Sequence, residues 1–280
     1  MGLFQPGAPW SNAASRLSVF QVSAQFVLYA PDAMLRTAFE TMHERHVQMA
    51  VEMGAVVRLD PCGLGEGYAP KEMPDQIGRR LHNLDLSLDY MAVDESVFYT
   101  HVKTWGTAKD GKPNCAYPLP VVAQRVGMSV SAIRRYFPSV QVGEIEPVGS
   151  GQVPQPQLIA DYAQFARLLE AEIGQKLAFF HADIAWKTDW LPMMAPLKRQ
   201  MQALGVPFGA IIGGSPWHAS EEEWVSAALQ RVEGLNRNPE TRLDDVVIQS
   251  WQKFPTRYLP ESAPRTSTYL LWQAQQRVGR

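Results

Sequence analysis

The chain has 280 residues, 46% of them hydrophobic and 10% aromatic, which is enough to bury a large core in one α/β domain or in two smaller ones. Its formal net charge is −2 and it has no run of lysines or arginines, so nucleic acid and anionic membranes are not expected partners. No segment reaches the ~18 uninterrupted apolar residues of a membrane span, and the first residues lack the pattern of a signal peptide. We therefore expect a cytoplasmic protein.

The cysteine content agrees with that expectation. The two cysteines, Cys62 and Cys115, are too few for a disulfide framework, and neither belongs to a C-x-x-C pair. A reducing compartment is the default for such a chain.

Seven short runs of apolar or alternating residues predict β-strands. They cover residues 18–30, 55–60, 84–96, 140–148, 177–186, 206–214 and 245–251. Between them, apolar residues at a spacing of three to four predict helices over 31–53, 156–174, 189–205, 221–235 and 266–277. Gly174 and Gly205 stand where two of these helices should end, and Ser220 with Glu223 forms a capping-box pattern.

This alternation predicts parallel strands joined by right-handed crossovers. The segments that follow strands are long and those that follow helices are short, which is typical of a (β/α) barrel whose site lies at the carboxyl ends of its strands. We expect one α/β domain over residues 1–280, a TIM barrel of the (β/α)8 type that is incomplete or has an atypical eighth strand. A doubly wound open sheet is the alternative.

Acidic and aromatic residues recur at the ends of the predicted strands. Glu144 and Glu146 lie two apart on one strand, so they share a face, and like charges placed so close raise each other's pKa. Flat aromatic side chains beside acids suit a sugar, which offers C–H patches and hydroxyl groups. The candidate site residues are Arg58, Asp60, Glu66, Tyr68, Asp94, Glu95, Glu144, Glu146, His181, Asp183, Trp186, Gln249, Trp251 and Glu261.

Three short motifs resemble those of glycoside hydrolases with a TIM-barrel fold. They are Ile145-Glu146-Pro147 at the end of the fourth predicted strand, Asp94-Glu95-Ser96 after the third, and Trp251 at the end of the seventh. The resemblance implies that Glu146 is the acid/base residue. Two departures stand out: Ile145 replaces the family's asparagine, and Gln249-Ser250-Trp251 stands where a nucleophilic glutamate is expected.

Glycosidic bond cleavage requires a protonated carboxylic acid and a second carboxylate. We expect Glu146, beside Glu144, to be the proton donor and Asp183 the second carboxylate, with Asp94 or Glu95 and then Glu261 in reserve. His181 would orient or protonate one of them. The remaining candidates would bind an oligosaccharide or small-molecule substrate, and no cofactor is expected.

Two alternatives stay open. Asp60, Glu144, Glu146, His181 and Asp183 form a ligand set that could hold a divalent metal ion in a sugar isomerase or hydrolase. The chain could also be a carbohydrate-binding barrel without catalytic activity, because fold analogy alone does not assign chemistry.

Overall fold

The computed structural model describes residues 2–62, 65–102, 115–149 and 153–278. The strands are β1 (Val19–Ser23), β2 (Gln48–Met53), β3 (Val56–Val57), β4 (Tyr68–Ala69), β5 (Tyr90–Asp94), β6 (Gln141–Val148), β7 (Phe180–Ile184), β8 (Phe208–Ile212) and β9 (Asp245–Ile248). The α-helices are α1 (Ser11–Ala14), α2 (Ala24–Tyr29), α3 (Asp32–Glu44), α4 (Met73–Asn83), α5 (Leu119–Arg134), α6 (Gln155–Ile173), α7 (Leu191–Leu204), α8 (Glu221–Arg237) and α9 (Ser267–Val278). A 3₁₀ turn covers Gly2–Phe4 and a π-helical turn covers Phe98–Val102.

Seven of the strands form one parallel sheet in the order β1-β2-β5-β6-β7-β8-β9. The sheet is strongly curled, so that its two edges approach each other. The Gln21 side chain on β1 donates to Gln249 Oε1, just past β9, at 3.1 Å. The two edge strands do not pair with each other. The fold is therefore the incomplete TIM barrel that the sequence predicts.

Hydrogen bonds join the first and last parts of the chain. The Glu261 carboxylate accepts hydrogen bonds from the backbone N–H groups of Asn12 (3.2 Å) and Ala13 (2.8 Å). The Gln275 side chain on α9 donates to the Ala13 carbonyl at 2.9 Å. Within the described part of the chain, no eighth strand enters the sheet, and α1 and α9 pack against each other.

The second barrel strand differs from the prediction. The predicted helix over 31–53 ends at Glu44, and the chain turns at His46, which has a φ of 56°, before β2 begins. The predicted strand over 55–60 is reduced to β3, which pairs only with β4 in a separate two-stranded sheet. The predicted strand over 18–30 likewise ends at Ser23, whose hydroxyl caps α2.

The predicted helix ends are confirmed. Gly174 and Gly205 follow α6 and α7 with φ values of 69° and 71°, the left-handed conformation that glycine adopts at little cost. The Ser220 hydroxyl accepts a hydrogen bond from the Glu223 N–H at the start of α8.

The two faces of the sheet have different surroundings. The outer face packs against the helices in the large core, which includes Val93, Phe180 and Ala182. The inner face carries a small cluster around Ala92, Ile145, Phe179 and Ile211. Membership of one cluster or the other therefore shows which way a strand residue faces.

The cysteines are paired. Cys62, after β3, and Cys115, before α5, form a disulfide with their Cα atoms 5.2 Å apart. Disulfides persist in oxidising compartments, so this pairing counts against the reducing environment that the cysteine count suggests. Among the described helices, none is both long and apolar enough to cross a membrane.

Candidate functional site

Glu144 and Glu146 face the helices and not the barrel interior. On β6, Glu144 pairs in register with Val93 and Phe180, and Glu146 with Ala182, all of which belong to the outer core. Both glutamates are fully buried. The prediction that they line the site at the barrel rim is therefore wrong, although they do share a face.

The contacts of these two residues are internal. The Glu146 carboxylate accepts hydrogen bonds from the backbone N–H groups of Val97 (2.6 Å) and Phe98 (3.1 Å). Burial raises the pKa of Glu146 to about 7, and burial followed by the neighbouring Glu146 charge raises the pKa of Glu144 well above its usual range. Neither carboxyl group can reach a substrate from this position, so the acid/base role that the resemblance implies does not fit Glu146.

A different set of acids faces the barrel interior at the carboxyl ends of the strands. Asp94 on β5 pairs with Ile145, Asp183 on β7 pairs with Ile211, and both partners belong to the inner cluster. Glu52 on β2 pairs with Ala92 of the same cluster. With Glu95, described next, these residues form the rim carboxyl cluster: Glu52, Asp94, Glu95 and Asp183.

Glu95 joins the cluster because its backbone breaks the alternation of the strand. Its φ is 52°, a conformation that residues with a side chain rarely adopt and that is enriched at functional sites. Its carboxyl group forms a hydrogen bond with that of Asp183. Gly67, with a φ of 83°, packs on the Glu95 backbone so closely that an added Cβ atom would lie 2.6 Å from the Glu95 carbonyl oxygen.

The rim carboxyl cluster carries uncompensated negative charge. Burial, followed by the charges of neighbouring carboxylates, raises the pKa of Asp94 to about 8 and that of Asp183 to about 7, and raises the pKa of Glu95 further. None of the ion pairs among the described residues includes a member of this cluster. At neutral pH the cluster therefore holds both protonated and ionised carboxyl groups, which is the requirement for acid/base chemistry.

Glu52 is the site residue that the sequence reasoning missed. The side-chain amides of Gln21 and Gln249 both donate to Glu52 Oε2, the latter at 2.8 Å. Burial raises the pKa of Glu52, and the two amides oppose that rise. The alternation of Met49, Val51 and Met53 around Glu52 was the available signal, hidden by a helical spacing that continues through the same residues.

Glu66 and Tyr99 lie at the edge of the cluster. The Tyr99 hydroxyl forms a hydrogen bond with Glu66, and burial followed by the Glu95 charge raises the Tyr99 pKa. The Glu66 charge in turn raises the pKa values of Asp94 and Asp183. Glu66 therefore acts on the rim carboxyl cluster, and its role in substrate binding stays a prediction.

Several other candidates are held by structural contacts outside the barrel sheet. Asp60 accepts hydrogen bonds from Arg125 (2.7 Å) and Tyr117 (2.9 Å), and these bonds lower its pKa. The Tyr68 hydroxyl lies 3.5 Å from the Cys115 carbonyl oxygen. Arg58 follows β3, where its N–H bonds to Ala69. The structure does not bring this group into the rim carboxyl cluster.

His181 faces the interior but does not orient the acids. Its ring stacks on Phe179 with the ring centres 4.0 Å apart, and its Nε2 lies 3.5 Å from Oδ2 of Asp245 at the start of β9. Because it precedes Asp183 by two positions on β7, it lies one layer deeper in the barrel. His181 cannot orient Glu146, since the two side chains are on opposite faces.

The remaining candidates differ in their exposure. The Arg231 guanidinium lies 4.1 Å from the centre of the Trp186 ring. The rings of Trp186 and Trp190 pack edge to face, with their centres 5.0 Å apart. Trp251 is 61% exposed just beyond Gln249. The buried Glu261 carboxylate caps the start of α1 by accepting the N–H groups of Asn12 and Ala13. This structural role does not fit the catalytic role considered for Glu261.

A preformed metal site is not found in the described residues: no group of three or more His, Cys, Asp or Glu side chains there is arranged to hold an ion. In particular, the metal ligands considered from the sequence do not come together in one site. Asp183 faces the interior, Glu144 and Glu146 face the helices, and Asp60 binds Arg125.

Solved structures with a similar fold are sugar-related barrels at very low sequence identity. A GH5_18 protein from Streptomyces cattleya, solved in complex with GlcNAc, is 12% identical with a TM-score of 0.53 over 99% of this chain and 76% of that one. An endo-1,4-beta-xylanase from Caldicellulosiruptor owensensis is 8% identical with a TM-score of 0.51 over 88% and 91% of the two chains. D-psicose 3-epimerase from Clostridium cellulolyticum H10, solved with D-tagatose, is 11% identical with a TM-score of 0.50 over 98% and 95%.

These likenesses show the fold, a TIM-type (β/α) barrel, which agrees with the architecture expected from the sequence. No protein-family model and no curated protein matches the chain.

Proposed function

We propose that this protein hydrolyses a glycosidic bond at the rim carboxyl cluster, with Asp94 as proton donor and Asp183 as the second carboxylate. The observation that carries the proposal is that both are partly exposed, face the barrel interior at the ends of β5 and β7, and have pKa values raised to about 8 and about 7. Between these two values, the protonated group can give a proton and the ionised group can take one.

The spacing of the strands suits this pair. One strand, β6, lies between β5 and β7, and neighbouring strands are ~4.8 Å apart, so the two backbones are separated by roughly 10 Å. Both side chains point into a curled sheet, which brings their carboxyl groups closer than their backbones. The pair is therefore within reach of the ~5 to ~9.5 Å separations that glycosidases use.

In this scheme, Asp94 protonates the glycosidic oxygen as the bond to the sugar carbon breaks. The Asp183 carboxylate acts on the opposite side of the sugar, where it either attacks the carbon or accepts a proton from water. Glu95 holds Asp183 by their mutual hydrogen bond, and Glu52, fixed by its two glutamine partners, adds negative charge that stabilises a positively charged sugar carbon.

The sugars and activities of the similar structures support a carbohydrate substrate. One neighbour was solved with GlcNAc, one with D-tagatose, and one is a xylanase. Exposed Trp251 and the partly buried Trp186 supply aromatic faces on the same side of the barrel, which suit sugar rings.

The test is hydrolysis of a panel of aryl glycosides and oligosaccharides by the purified protein, with products identified by mass spectrometry. We expect cleavage that survives EDTA and is lost in Asp183→Asn. Turnover abolished by EDTA and restored by a divalent metal would favour the metal-dependent alternative. Binding of an oligosaccharide without cleavage would favour a non-catalytic barrel.

A further inference from the structure

We infer that Glu146 is a positioning residue that fixes the turn after β5 and thereby holds Glu95 against Asp183. The inference rests on the proposed function for its catalytic consequence, but the positioning itself can be measured without a substrate. It assigns a role to a fully buried carboxylate that cannot contact the substrate directly.

Glu146 binds the turn with both carboxylate oxygens. Oε1 accepts from the Val97 N–H at 2.6 Å and Oε2 accepts from the Phe98 N–H at 3.1 Å. Val97 directly precedes the π-helical turn, and Phe98 is its first residue. A carboxylate that accepts two such bonds stabilises the turn more than a neutral group would.

The same strand also holds the turn from its other end. The Glu95 N–H donates to the Ile145 carbonyl at 2.8 Å. Residues 95 to 98 are thus attached to two consecutive residues of β6, one through its backbone and the other through its side chain. A residue with a positive φ, such as Glu95, persists only when its surroundings fix it in this way.

The surroundings of the Glu95 side chain favour its protonated form. Burial, followed by the charges of Asp94 on β5, Asp183 on β7, Glu66 before β4 and Glu146 on β6, raises its pKa. Tyr99 and Tyr162 lie close to it as well. Without the two backbone bonds to Glu146, the turn loses one of its two attachments to β6, so Glu95 is held less firmly against Asp183.

The position of Glu95 has a measurable effect on Asp183. The hydrogen bond between them lowers the pKa of Asp183 against the upward effect of burial. Loss of that bond should therefore raise the pH at which Asp183 titrates. A merely destabilised protein would lose folded material without this change.

The test compares Glu146→Gln with Glu144→Gln. The glutamine at position 146 has one acceptor oxygen, and its NH₂ group would oppose the second backbone N–H. Glu144 is equally buried but accepts neither of the two backbone N–H groups, and its pKa is raised well above the usual range, so its amide variant preserves a neutral side chain and serves as the control. The measurement is the titration of the Asp183 carboxyl carbon by ¹³C NMR in the substrate-free protein.

We expect Asp183 to titrate at higher pH in Glu146→Gln and at an unchanged pH in Glu144→Gln. If a glycoside is cleaved, kcat should fall about tenfold in Glu146→Gln, with its acidic limb moved to higher pH. An Asp183 titration that is the same in folded Glu146→Gln and in the wild type would overturn the inference, whether or not the protein is a glycosidase.

A second measurement uses the wild type and does not depend on the folding of a variant. Hydrogen exchange of the Val97 and Phe98 amides should show protection that falls as Glu146 is protonated below about pH 7. Protection of both amides that stays constant from pH 8 to pH 5 would show that the carboxylate does not hold the turn.

Discussion

The carboxyl groups of Glu95 and Asp183 form a hydrogen bond across the end of β6, with the Glu95 backbone held in a left-handed conformation. This contact joins two strands that are not neighbours in the sheet. The contact lies on the inner face of the sheet, where we place the proposed chemistry, and not on the outer face of β6, which carries Glu144 and Glu146.

The pH dependence of activity should be narrow and bell-shaped. Asp183 must be ionised, so activity should rise as the pH passes its pKa of about 7, and Asp94 must be protonated, so activity should fall as the pH passes its pKa of about 8. The optimum is therefore expected between these values, as measured by kcat/KM against pH. An optimum near pH 4 to 5, where ordinary carboxyl groups titrate, would contradict the assignment.

Gly67→Ala should lower both stability and activity. The substitution places a Cβ atom 2.6 Å from the Glu95 carbonyl oxygen at a positive φ, so the turn must shift. Gly174→Ala is the matched control, because its φ is 69° and an added Cβ meets no atom within 4 Å. In urea unfolding we expect the control to lose about 1 kcal/mol, and Gly67→Ala to lose clearly more. Equal losses would argue against close packing on Glu95.

Glu261→Gln should lower stability and leave the chemistry unchanged. The carboxylate accepts the N–H groups of Asn12 and Ala13 at the start of α1 and also binds the Asn12 side chain at 2.7 Å. Loss of these charge-assisted bonds should lower the free energy of unfolding by about 1–2 kcal/mol. A large fall in kcat at unchanged stability would instead return Glu261 to the catalytic candidates.

The disulfide should contribute strongly to stability. Cys62 and Cys115 are 53 residues apart, and a bond closing a loop of this size typically stabilises a protein by about 2–5 kcal/mol. The double variant Cys62→Ser, Cys115→Ser should therefore unfold at lower urea concentration than the oxidised wild type. A thiol assay on the native protein should detect no free cysteine, and two reactive thiols would contradict the pairing.

The general architecture could be predicted from the sequence because strand and helix periods differ. The strands β5 to β9 lie within five of the predicted runs, and Gly174 and Gly205 end the helices as expected. The exception is β2, where the apolar spacing of α3 continues into the strand. Only the turn at His46 separates them, and a histidine with a positive φ gives no clear signal in the sequence.

The direction in which the acids face could not be predicted from period alone. In a parallel barrel both faces of a strand are buried, as they are on β6, so the burial pattern does not distinguish the interior from the helices. Glu144 and Glu146 were correctly placed on one face, but the pairing of Glu146 with Ala182 was needed to decide which. Asp183 was selected at the sequence level and does lie at the rim, whereas Glu52 was hidden in the misassigned helix.

The most direct test of the central claim is kcat/KM for the glycoside that the panel identifies, compared among the wild type, Asp183→Asn and Asp94→Asn. The control is Glu40→Gln, an exposed acid on α3. We predict losses of about 10²- to 10⁴-fold in both rim variants, with Glu40→Gln equal to the wild type. Rim variants that retain full activity while remaining folded would show that the chemistry does not take place at the rim carboxyl cluster.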